Sequence, residues 1–139
     1  MFEFGYSQED ITPVWGLPLV GYFNPRPNRG AYDRLSVKAA VFRTDAKEYA
    51  AIISYDLCFV TAKFVSEIEE ILTAKNSLLA GKVMYCATHT HTGPYTTSCF
   101  TDGSDSCYLD DLKAITIKTL EDALASLAPA ELYAAQTEC

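Results

Sequence analysis

Between Leu57 and Thr61 the spacing of apolar residues changes period, and this switch does most to limit what the chain can become. Before it lie two β-like runs, Leu35 to Thr44 and Tyr49 to Leu57, rich in Val, Ile, Tyr and Phe and split by the polar Asp45-Ala46-Lys47-Glu48. They read as a hairpin. After it, Phe64, Val65, Ile68, Ile71 and Leu72 fall on one face of a helix over 61–79, with Glu67, Glu69 and Glu70 on the other and Thr61 as its N-cap. The run Tyr49 to Tyr55 is almost continuously apolar, which predicts a central strand covered on both faces.

The alternation continues. Lys82-Val-Met-Tyr-Cys-Ala reads as a strand, and 108–127 as a second amphipathic helix carrying Leu109, Leu112, Leu120, Leu124 and Leu127. Asp110 and Asp111 are expected in its first turn, where negative charge complements the helix dipole. Pro129 closes that helix, and Ala130 to Ala135 resembles the start of a further strand. The order β-β-α-β-α-β predicts an α/β fold with a mixed, largely parallel sheet and flanking helices, in one domain over residues 1–139. No element follows the last strand to cover its edge, so the chain reads as a truncated part of a larger catalytic domain. An open edge of that kind could also support self-association.

Pro13, Pro18, Pro25 and Pro27 with Gly16, Gly21 and Gly30 make 13–34 a long loop, a feature that compact domains reserve for function or leave disordered. Arg26, Arg29 and Arg34 in this region read first as solvated loop charges and second as candidates for a carboxylate product.

With 18 acidic against 11 basic residues the chain carries a formal charge of -7, which opposes a nucleic-acid partner because such binding rests on cations neutralising phosphates. No stretch has the apolar length of a membrane span. The opening residues show no basic and apolar leader, so the chain as it stands is expected in the cytoplasm, or outside the cell if its true N-terminus is missing. The five cysteines, at 58, 86, 99, 107 and 139, lack a Cys-x-x-Cys pair and read as reduced, with a Cys99 to Cys107 bridge as the alternative.

Both histidines of the chain lie two apart in Thr88-His89-Thr90-His91-Thr92-Gly93-Pro94, just beyond a strand end. Ligands of open α/β sheets bind outside the carboxyl ends of strands, and residues i and i+2 of an extended segment point to one side. Two imidazoles in one cleft suit a metal, although catalytic zinc takes three protein ligands. Thr88 and Thr90 offer hydroxyls, and Asp56 a carboxylate, that could orient the imidazoles. The spacing leaves open a hydrogen-bonded, solvated strand end, and for Asp56 a simple turn cap.

The segment Ala87 to Pro94 is very similar to the Thr-His-Thr-His-Ser-Gly-Pro signature of neutral/alkaline non-lysosomal ceramidases. Asp10-Ile11-Thr12, Gly21-Tyr22, Gly30, the step from Arg34-Leu35 into Ala39-Ala40-Val41-Phe42, and Ser54-Tyr55-Asp56-Leu57 resemble the N-terminal pattern of that family in the same order. Thr92 replaces a common Ser and keeps the hydroxyl, whereas Tyr95 to Cys107 matches nothing in the family and is expected to border the substrate cleft.

The resemblance implies zinc as cofactor, His89 as one of its ligands, His91 as a catalytic residue near the scissile bond, and a small-molecule or lipid amide of the ceramide type as substrate. The remaining ligands, a histidine, a Glu and a Tyr, would come from later in a longer catalytic domain. Two other functions are compatible with the residues. One is a non-catalytic domain that binds metal or self-associates. The other is a cysteine hydrolase pairing Cys86 or Cys99 with His89 or His91.

Overall fold

A computed structural model of the protein describes residues 1–97 and 105–137. It contains strands β1 (Glu3–Asp10), β2 (Ser36–Arg43), β3 (Tyr49–Tyr55), β4 (Val83–Ala87) and β5 (Ala128–Pro129), with helices α1 (Ala62–Ala74) and α2 (Ser106–Ala125). The sheet runs β4-β3-β2-β1-β5. It is mixed, as expected, and the hairpin of β2 and β3 is present. The balance differs from a largely parallel sheet, because among the described residues only β3 and β4 pair in parallel while β1–β2, β2–β3 and β1–β5 are antiparallel. A single helical crossover, α1, joins neighbours in the sheet, and every other adjacent pair forms without one.

The first strand is absent from the sequence expectation, and its side chains explain why. Gly5 points into the core, where a Cβ would lie 2.0 Å from the Ala123 carbonyl oxygen of α2, while the aromatic residues Phe4 and Tyr6 face outward. The strand thus carries its bulk on the open side and its smallest residue where a helix touches it, the reverse of the usual pattern. Ser126 completes the contact, accepting the Tyr6 N–H at 2.9 Å.

Helix α1 begins at Thr61, whose hydroxyl accepts from the Phe64 N–H at 3.1 Å. It stops near residue 75 rather than 79, since Asn76 takes a left-handed conformation with φ 51° and the Ser77 N–H returns to the Leu72 carbonyl, an asparagine form of the left-handed helix end. Helix α2 starts at Ser106 under an Asp105 cap, so Asp110 and Asp111 fall beyond the first turn. Asp110 instead pairs with Lys113 at 2.7 Å. The expected strand over 130–135 is not formed, because only Ala128 and Pro129 pair, opposite Phe4 and Glu3.

One core joins Val37, Ala39 and Val41 of β2, Ala51, Ile53 and Tyr55 of β3, Phe64, Ile68 and Leu72 of α1, and Leu112, Ile117, Leu120 and Ala123 of α2. Both helices therefore cover the same face of the sheet. On the other face Ile52 is 42% and Met84 61% exposed, beside outward-facing Phe4 and Tyr6. The expectation that β3 is buried on both faces is corrected accordingly: among the described residues it is interior to the sheet but covered on one face only. The three described cysteines, Cys58, Cys86 and Cys107, are free thiols, and Cys99 and Cys139 lie outside the described residues, so the Cys99 to Cys107 pairing does too.

The clash at Gly5 yields a direct expectation. Gly5→Ala should lower stability by about 1–3 kcal/mol through overpacking against α2. The urea midpoint should fall at unchanged slope, and a midpoint equal to wild type would mean that α2 shifts freely.

Candidate functional site

The site grows from the one parallel pairing. In register, Tyr55 of β3 lies beside Ala87 of β4, so both strands end at the same level. Beyond that level the two chains stay zipped: the Thr88 N–H donates to the Tyr55 carbonyl at 2.9 Å and the His89 N–H to the Leu57 carbonyl at 3.0 Å. The segment after β3 and the histidine segment after β4 therefore emerge side by side, as expected for the carboxyl ends of parallel strands.

His89 adopts a left-handed backbone with φ 62°, a conformation costing a non-glycine residue about 1 kcal/mol or more. Its Nδ1 lies 2.9 Å from the carbonyl oxygen of Cys58. A carbonyl only accepts, so Nδ1 carries a proton, and in the neutral ring the lone pair is left on Nε2. His91 stands 5.2 Å away between ring centroids at an interplanar angle of 67°. The partner that fixes the His89 tautomer is therefore a backbone carbonyl and not a threonine hydroxyl. Thr90 and Thr92 bond each other at 2.8 Å, and Thr88 uses its N–H to hold β3.

Cys58 was not singled out by its sequence context, yet its Sγ lies 3.8 Å and 4.0 Å from the two ring nitrogens of His89. Donor atoms of Cys58, His89 and His91 all fall within 4.8 Å of one another. The signal that could have found it is positional: Cys58 sits three residues past the end of β3, and the histidines two and four past the end of its parallel neighbour. Cys58 is buried with Val20 and Tyr95, and burial pushes its thiol upward in pKa. That is opposite to what an activated nucleophile needs. Cys86, the other described candidate nucleophile, lies on β4 level with Ser54, before the strand end.

The long loop is irregular, as expected, but pinned to the site. Asn28 staples its two arms through bonds to Val14 and Gly16. The Val20 N–H donates to the Gly93 carbonyl at 3.0 Å, and Leu19 bridges Pro94. Gly21, at φ 88°, passes so close to the site that a Cβ there would lie 2.0 Å from His91 Nδ1. Loop and strand ends border a cleft of about 1170 Å³ whose walls include Trp15, Arg26, Arg34, Asp56, Thr88 and Thr90; the expectation of both imidazoles in one cleft is corrected here, since the threonines of the segment line it while His89 and His91 do not. Arg34 pairs with Asp10, and Arg26 lies over the Tyr22 ring at 4.9 Å, so these two arginines have intramolecular partners.

Asp56 lines the cleft, and its carboxylate accepts from the Ser36 hydroxyl at 2.7 Å, the Ser36 N–H at 3.1 Å and Lys38 Nζ at 3.0 Å. Burial pulls this carboxyl upward, but the bonds from Ser36 and Lys38 outweigh it and leave the group below the usual carboxylate range.

Among the solved structures similar in fold are two ceramidases. A ceramidase complexed with C2 superposes with a TM-score of 0.84 at 23% identity, over 92% of this chain and 22% of that one. Neutral ceramidase from Pseudomonas aeruginosa gives 0.81 at 23% identity, over 92% and 22% of the respective chains. The fold is thus similar to that of part of a ceramidase, and the chain spans 22% of the length of the structures it resembles. No family model matches it, and no curated protein does.

Two outcomes follow from the geometry. Gly21→Ala should displace His91, and its ring signals in a proton–nitrogen correlation spectrum should move while the core signals stay; unmoved signals would show that the loop yields instead. For Asp56 the folded-state pKa is depressed, so its contribution is present above the unfolded carboxylate value of about 3.9 and is lost as pH falls through the folded value. The stability gap between wild type and Asp56→Asn, measured by urea unfolding, should be widest at neutral pH and shrink below about pH 4.

Proposed function

We propose that this chain is the N-terminal part of a zinc-dependent hydrolase of N-acyl amide bonds, with a ceramide-like substrate. The observation that carries the reading is the His89–His91 pair at the joined ends of β3 and β4, on a fold similar to that of ceramidases. The site residues fit a metal. His89 offers a lone pair at Nε2 while a carbonyl holds its other nitrogen, which is the outer bond that metal-binding histidines usually make. His89 is the ligand in this proposal. When bound, the ion supplies Lewis acidity toward the amide carbonyl and makes a water acidic enough to react near neutral pH.

The remaining roles belong to the chain itself. His91, exposed and next to His89, donates a hydrogen bond or proton to the amide as its C–N bond breaks. Gly21 gives its ring room. Thr88 and Thr90 line the cleft, and Asp56 holds Lys38 and Ser36 at the cleft wall. Trp15, Leu19 and Pro25 supply apolar surface there for an acyl chain, beside the polar groups.

The open face of the sheet supports the view that the catalytic domain is longer than this chain. Ile52, Met84, Phe4 and Tyr6 present apolar surface that a further layer of the same polypeptide would cover. Further ligands for the ion would arrive with that layer.

The test uses the complete polypeptide that carries this chain. It should hydrolyse an N-acyl sphingoid amide, lose activity on chelation and regain it with zinc. His91→Ala should retain zinc and lose turnover by at least about a hundredfold, the scale of a positioned acid or base. Unaltered turnover with zinc bound would remove the role given to His91, and turnover indifferent to chelation would remove the metal mechanism.

A further inference from the structure

We infer that loop 13–34 is a membrane-docking surface, which lays its aromatic side chains among the headgroups of an anionic lipid bilayer and its arginines against their phosphates. The inference goes beyond the amidase reading and is read out without turnover.

Exposed apolar side chains are the first argument. Trp15 is 79% and Val14 75% exposed, and Phe23 and Tyr32 are wholly so, all within this one segment. Single apolar residues on a surface are ordinary, whereas four on one loop mark a contact. The loop has no means of drawing them in. Its arms are paired by the Leu19 N–H on the Arg26 carbonyl at 2.8 Å and the Asn28 N–H on the Leu17 carbonyl at 2.9 Å, and four prolines fix φ within it. The rim is therefore ordered before it meets a partner, which lowers the entropy lost on docking.

Charge is the second. Three of the chain's four arginines, Arg26, Arg29 and Arg34, lie in this loop against one acid, Asp33, although the chain as a whole carries -7. All three line the cleft wall with Trp15 and Tyr32. Arg34 is held by Asp10, but Arg26 rests on the Tyr22 ring, which leaves its charge uncompensated, and Arg29 has no partner among the described residues. Of the eighteen acidic residues seven lie on α1 and α2 instead. An anionic surface thus attracts the loop and repels the helical layer, which orients the molecule.

The combination decides the occupant. Trp and Tyr concentrate at the level of the headgroups, where one end of the ring is wet, and the arginine fork suits phosphate. Basic clusters that hold a membrane by charge alone carry about four to eight cations. Three fall short of that, so aromatics and cations must act together. The open sheet face differs, for Phe4, Tyr6, Ile52 and Met84 are exposed there but its Lys38 is paired with Asp56, as suits a dry protein layer.

Trp15 is the only tryptophan of the chain and so reports on the loop. Mixed vesicles of phosphatidylcholine and phosphatidylglycerol should carry the chain down on sedimentation and shift Trp15 emission to the blue, and phosphatidylcholine alone should do so much less. Added salt should weaken the binding, because exposed charges are screened beyond about 10 Å at roughly 0.1 M. Arg26→Gln combined with Arg29→Gln should lower affinity for the mixed vesicles by about thirtyfold, about fivefold for each charge. Phe23→Ser should lower it by at least about tenfold. These side chains are exposed, so both variants should keep the wild-type urea midpoint. The complete polypeptide should sediment with the same vesicles and respond to the same substitutions.

Absence of binding to mixed vesicles, by the chain or by the complete polypeptide, overturns the proposal; in the second case another part of the protein covers the loop. Binding that leaves Trp15 emission unchanged, or that is lost in Met84→Ser and kept in the arginine variant, assigns the contact to the sheet face and overturns it equally. Each of these outcomes leaves the amidase reading to its own test by chelation.

Discussion

The parallel pairing of β3 with β4 is the contact from which the site follows. It brings Tyr55 level with Ala87 and extends past the strands through the Thr88 and His89 N–H groups. Parallel neighbours need a crossover, and α1 supplies it, burying Phe64, Ile68 and Leu72 against the sheet. The core thereby fixes the relative height of two chain segments that lie 31 residues apart, Cys58 and His89. If that register slipped by one residue, every side chain of β4 would turn to the opposite face, and the histidine segment would leave the cleft.

Geometry at the strand ends is held less by regular structure than by small residues and single hydrogen bonds. Loop 13–34 is fastened through Asn28 within itself and through Leu19 and Val20 to the turn after His91. Glycine at 21 is required twice, by its positive φ and by the ring beside it. Such a loop can border a cleft without having a core of its own, because its backbone groups are paired with each other and with the site. Beneath it, Val20, Cys58 and Tyr95 form a second apolar cluster that gives the histidine turn a dry floor.

Much of this was legible in the sequence where a single physical signal acted alone. The β2–β3 hairpin, both helices and the Thr61 cap follow from period and capping, and they are present, whereas the histidines, expected in an extended segment, lie on a turn with His89 left-handed. Strand β1 was not legible, since the close approach of α2 required a glycine where an inward apolar residue would have marked a strand. The sheet was expected to be more parallel than it is because the order of elements does not reveal that β1 pairs antiparallel beside β2. Continuous apolarity in β3 signals burial on two faces, but only one is filled among the described residues. Within the site, the position of the histidines and Asp56 just past the strand ends was legible, whereas Cys58 looked like a small core residue, and its proximity to His89 depends on the register between two strands.

The distribution of burial around the histidines carries a further consequence. Cys58 is buried there, and both imidazoles are exposed. A site made only of exposed side chains would lose conformational freedom at each of them on binding. Here the buried residue supplies the carbonyl that orients one imidazole, so much of the ordering is achieved when the chain folds. The strain at His89 belongs to the same account: the core holds the turn in a conformation that histidine does not favour, and the imidazole is thereby placed before any ligand is present. Sheet register, loop glycine and backbone strain thus act on one small volume at the joined strand ends, which is why the candidate site of this fold lies there rather than on its helices.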